Sequence, residues 1–136
     1  MKKVLIGLLA GVVMLIVGFG FNMLFDFVFP VAAAEYQNPA IFRPWSDPLM
    51  MLYFIYPFVL GIALSFFWAM AKGMFKGGVW ERAAKLAFMY FIIATIPGML
   101  MSYSSFQVSL LLILSWTING FLSVFAAGVV FAKLDG

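Results

Sequence analysis

Residues 4–29 read VLIGLLAGVVMLIVGFGFNMLFDFVF, a stretch whose only polar side chains are Asn22 and Asp26. A helix needs roughly 20 apolar residues to cross the hydrocarbon core of a bilayer, so this run predicts a membrane span. Lys2 and Lys3 stand before it and Pro30 follows it. Further apolar runs of spanning length lie at about 49–71, 83–101 and 106–132. The expected fold is an all-α membrane protein, a four-transmembrane-helix bundle forming one transmembrane domain over residues 1–136.

Composition points the same way. Of the chain, 66% is hydrophobic and only 10% charged, and the mean hydropathy is +1.13. A soluble domain of this length needs a charged surface that these residues cannot build. The basic residues then orient the bundle. Lys2, Lys3, Lys72, Lys76, Arg82, Lys85 and Lys133 fall at one predicted end, and Arg43 alone at the other. The positive-inside rule therefore predicts a multi-pass protein of the cytoplasmic membrane with both termini cytoplasmic, N-in/C-in. The N-terminal basic pair, the apolar run and Val31-Ala32-Ala33-Ala34 also trace the outline of a signal peptide with an A-x-A cleavage site. A signal h-region spans only about 7–15 residues; this run is longer, and a retained first span is expected.

The outer connection, residues 30–48, holds Pro30, Pro39 and Pro44 and is expected to resist a regular helix. Ser46 or Asp47 can cap the second span, with Pro48 in the first helical position. The inner connection after Lys72 is a basic turn containing Gly73, Gly77 and Gly78, beyond which Glu81 and Lys85 stand i,i+4 and can pair. Tyr53, Tyr56 and Tyr103 are expected in the outer interfacial belt, Trp68 and Trp80 in the inner one, and Trp116 deeper.

Small or polar residues recur at helical spacing in every span: Gly7, Gly11, Gly18, Asn22 and Asp26; Pro57, Gly61, Ser65 and Ala69; Ala83, Ala87, Ala94, Thr95, Gly98 and Ser102; Ser115, Asn119, Ser123 and Ala126. Steps of three and four place each set on one helix face. Helices in lipid have no hydrophobic drive to associate, so close backbone approach and polar contacts must hold them. Packing is thus the first reading of these stripes. At 1.5 Å per residue, Asn119 falls ~20 Å and Thr95 ~16–18 Å from the inner ends of their spans. Asn22 and Asp26 fall ~27–33 Å along the first span, near the outer face. On these depths the polar groups spread along the bundle axis, and only Thr95 and Asn119 meet, beside a break at Pro97.

Candidate binding residues follow from this survey: Asp26, Arg43, Asn22, Thr95, Asn119 and Trp116. Asp26 is the one acidic residue expected within or beside the hydrocarbon, where an ionisable group needs a partner. Arg43, alone on the outer side, is the natural one. Histidine and cysteine are both absent from the sequence. That removes haem, zinc, iron–sulfur and thiol chemistry, so no catalytic residue, metal or other cofactor is expected.

Gly-Leu-Leu-Ala-Gly at 7–11, Phe42-Arg43-Pro44-Trp45 in the outer loop and the Asn119-Gly120 to Gly128 helix resemble those of small prokaryotic four-helix membrane proteins of unknown function. The resemblance implies a four-helix membrane fold and no particular activity. Small multidrug exporters are similar in size but carry a glutamate in the middle of the first span, where this chain has Met14 and Leu15. Three functions remain. The first is a non-enzymatic structural or accessory subunit, self-associating as a homo-oligomer or joining a larger membrane complex. The second is a transporter or channel for a small ion or apolar solute with Asp26 at its outer mouth. The third is a lipid-modifying enzyme using Asp26, Glu35 or Asp47 with Arg43. The expected partner is the lipid bilayer, and no nucleic acid is expected.

Overall fold

The computed structural model describes residues 2–136. Helix accounts for 83% of it, with no strand among the described residues. The elements are α1 (Lys2–Val28), a short α2 (Pro30–Glu35), α3 (Met51–Ala71), α4 (Val79–Tyr90), α5 (Ile96–Ser105) and α6 (Leu110–Leu134). Single 3-10 turns lengthen α3 at both ends, and one π-helical turn, Phe91–Thr95, joins α4 to α5. Four helices long and apolar enough to cross a membrane result: Lys2–Val28, Pro48–Met74, Val79–Ser105 and Leu110–Leu134.

Local chemistry sets the helix ends. The Asp47 carboxylate accepts from the Leu49 N–H at 2.9 Å, and Pro48 takes the first position, where a missing N–H costs nothing. Ser109 accepts from the Leu112 N–H at 3.2 Å, so α6 starts there and not at Phe106, whose backbone is extended. The proline-rich connection does form a helix, α2, because Pro30 also occupies its first turn. The expected Glu81–Lys85 pair is absent; the Lys85 ammonium donates to the Lys76 carbonyl at 2.6 Å instead.

α1 lies between α3 and α6, and α6 packs in turn against α4. The α1–α3 seam is the closest. A methyl group on Gly7 would stand 2.6 Å from the Ile62 Cα, and one on Gly11 would stand 2.9 Å from the Phe58 Cα. Gly61 faces both glycines, so the small-xxx-small pattern is used within this chain. At the α4–α6 seam a methyl on Gly128 would meet the Ala83 Cα at 2.8 Å.

Both termini and the turn after α3 share one end of the bundle, the terminal end; the 29–47 connection lies at the other, the loop end. At the terminal end, α3 and α6 close around Trp68, whose indole stacks on Phe75 at 5.4 Å and meets Phe131 at 5.9 Å. Trp68 has no exposed surface, which corrects its expected belt position. It tolerates burial because its Nε1–H donates to the Asp135 carbonyl at 3.1 Å. Lys72 donates to the same carbonyl and to the Asp135 carboxylate, each at 3.2 Å. Trp80 is exposed and stacks on Phe125.

The helices are not flush. The Ser65 hydroxyl donates to the Lys3 carbonyl at 2.7 Å, so α1 begins level with Ser65, ~9 Å short of Ala71 at the end of α3. At the terminal end α1 is therefore recessed relative to α3. Toward the loop end α3 has no packing interface with α4 or α5, and the bundle opens.

Candidate functional site

Where α3 and the α4–α5 helix diverge, the helices and the 29–47 connection surround a cavity of about 930 Å³. Asn22, Asp26, Arg43, Thr95, Trp116 and Asn119, the six residues singled out in the sequence, all line it. They do not spread along the axis as their counted depths implied. Asn119 lies beside Gly18, whose carbonyl is 3.5 Å from its Nδ2, and because side chains lean toward the N-termini of their helices the Asn119 Nδ2 also reaches the Asn22 Oδ1, donating to it at 3.1 Å. Ser123 Oγ donates to the Asn119 Oδ1 at 3.1 Å, and the Asn22 Nδ2 reaches the Tyr53 hydroxyl at 3.4 Å. A continuous uncharged polar strip thus runs from α6 across α1 to α3.

Thr95 ends the π-helical turn and is 6% exposed. Pro97, two residues on, has no N–H for the usual helical bond, and a π turn just before it is one way for a helix to absorb that loss. The turn leaves Thr95 beside Gly120 of α6. Tyr56 and Tyr90 approach each other from α3 and α4, below the polar strip.

The connection above the cavity is held in place by contacts absent from the sequence reading. The Glu35 carboxylate accepts from the Ser109 N–H at 2.8 Å, at the positive end of the α6 dipole. The Trp116 Nε1–H donates to the Tyr36 hydroxyl at 2.6 Å. Phe42 packs on Tyr36 at 4.9 Å and meets Trp116 edge-on at 6.2 Å. Burial pushes the Tyr36 hydroxyl above its ordinary value of 10.0, against the opposing pull of the Trp116 donor. Ala32 is fully buried in the same cluster with Leu112 and Ile113.

The expected Asp26–Arg43 pair does not form. Arg43 lies 3.0 Å from Asp47, one helical turn along the chain. Asp47 also accepts the Leu49 N–H; that bond first, and the guanidinium second, hold its carboxyl below its ordinary 3.8. Sequence proximity wins because both residues sit on the strand of chain leading into α3, while Asp26 belongs to α1. Among the described residues, Asp26 has no hydrogen bond or ion pair.

A second aromatic group completes the wall on the α3 side. Trp45 meets Tyr53 edge-on at 5.3 Å and Phe54 at 5.8 Å, with Phe19 against Tyr53 at 6.0 Å. The cavity therefore offers ring faces on two sides, a neutral polar strip between them, and one carboxylate. Such a site can hold a largely apolar molecule and fix one polar group on it. Tyr36, Phe42 and Tyr90 were not among the six candidate binding residues; their places beside Glu35, beside Arg43 and in the aromatic belt were the available signals. No protein family, curated protein or solved structure matches the chain, so its site is read from its own geometry.

Proposed function

We propose that the chain is a multi-pass membrane protein with both termini in the cytoplasm, and that its cavity binds a small apolar or amphipathic molecule entering from the bilayer. The observation that carries this reading is the gap between α3 and α4–α5, which leaves an aromatic-walled cavity of about 930 Å³ unsealed by helix packing. Ligand sites are typically about 300–1,000 Å³, mostly apolar, with a few placed polar groups. A molecule already dissolved in the hydrocarbon reaches such a site sideways, without crossing water. Binding of this kind is the first step of apolar-solute transport.

Two other readings find less support. A structural or accessory subunit needs small-residue faces for its partners, but the Gly7–Gly11–Gly61 and Ala83–Gly128 contacts are spent inside the chain. A lipid-modifying enzyme needs a second free carboxylate for acid–base work, yet Glu35 and Asp47 are both engaged with backbone N–H groups.

Native mass spectrometry of gently extracted protein tests the proposal. Gly120 lines the cavity, and a Cβ there meets only Thr95 at 3.7 Å, so Gly120→Phe fills the space without a backbone clash. The expected result is a bound small molecule on the wild-type chain that is missing from folded Gly120→Phe. Identical bare spectra for both proteins would reject the proposal.

A further inference from the structure

The charges around the cavity do not balance. Arg43 is the only basic residue at this end, and Asp47 holds it at 3.0 Å. Glu35 is turned to the Ser109 N–H. The remaining Lys and Arg residues belong to the terminal end of the helices. Asp26 alone is left, lining the cavity on α1 without a partner among the described residues. A carboxylate in or beside hydrocarbon is costly unless a cation or a set of donors meets it. No bond of the polar strip ends on Asp26: the Asn22 amide donates to Tyr53, and the Asn119 amide to Asn22 and the Gly18 carbonyl.

The walls add a second, independent preference. Trp45, Tyr53, Tyr36, Phe42 and Trp116 all line the space. Aromatic faces carry a negative quadrupole that attracts cations, more strongly where water is excluded. A neutral ligand would use the rings and leave Asp26 unmatched; an anion would meet repulsion from both.

We propose that the cavity selects lipophilic cations, amines or onium ions with an apolar body, whose charge is matched by Asp26 and whose body lies between the aromatic walls. This rests on the ligand-binding reading above and specifies its chemistry. Asp26 is a selectivity residue on this view, while the rings and the gap admit the apolar body.

A size-matched ion pair separates the two claims. Tetraphenylphosphonium and tetraphenylborate share a shape and differ in sign, and N-phenyl-1-naphthylamine serves as a neutral probe. Binding to the purified full chain is measured for each, counting only the part that Gly120→Phe abolishes. The expected result is tetraphenylphosphonium bound at least about tenfold tighter than tetraphenylborate, the scale of one charge pair at partial burial. In Asp26→Asn that preference collapses while the neutral probe binds as before. Cavity binding of the neutral probe with no preference for the cation, or a preference that survives Asp26→Asn, overturns the proposal and leaves the cavity reading intact. No Gly120-sensitive binding of any probe removes both.

Discussion

The indole of Trp68 is enclosed by Phe75, Phe131 and the Arg82 guanidinium, which lies 4.9 Å over the ring. Removing a buried aromatic of this size costs about 3–5 kcal/mol. Trp68→Ala is therefore expected to lower the thermal midpoint in detergent sharply, and Trp68→Phe less, because most of the ring stacking remains while the bond to Asp135 and part of the ring volume are lost. Equal shifts for the two variants would mean that the hydrogen bond, and not packing, dominates. Hydropathy gave Trp68 a depth but no facing, and facing separates a belt residue from a core one. The same limit applies to Arg43, where the sequence showed a lone charge on the loop side but not which carboxylate it would meet.

At the scale of elements, the seam between α1 and α3 is the tightest in the molecule. Gly61→Leu drives a side chain into the backbone of Gly7 and Gly11 and is expected to separate the two helices, seen as loss of the folded monomer peak or a much lower unfolding temperature. Gly98→Leu is the matched control: a Cβ there meets nothing within 4 Å, and the variant should behave as wild type. The glycine stripe and the caps at Asp47 and Pro48 were readable because each depends on a few neighbouring residues. Side-chain reach was not. Counting residues from the ends placed the Asn22 and Asn119 backbones at different depths, but their side chains lean toward opposite ends of the bundle and meet at 3.1 Å. That reach turns scattered polar residues into one hydrogen-bonded strip.

For the whole molecule, four long apolar helices were evident from hydropathy, while the cavity was not. A cavity here is the lack of an interface between α3 and α5, and no residue pattern encodes a contact that fails to form. The proposed orientation is directly testable, since the chain has no cysteine of its own. Single cysteines at Asn38 and Lys76, at opposite ends of the helices, should react with a membrane-impermeant maleimide from opposite sides. Asn38 is expected to label in intact cells and Lys76 only after lysis; the reverse pattern would invert the topology.

The recessed start of α1 reaches beyond the protein. The Lys3 ammonium rests 5.8 Å from the centre of the Phe66 ring, well short of the end of α3. In a bilayer whose full thickness α3 crossed, solvating that charge would draw phosphates and water down beside α1 and thin the leaflet there. A protein with such a notch strains thick, ordered membranes more than thin, fluid ones. Its distribution among membranes would then follow from the depth at which Lys3 is held beside Phe66.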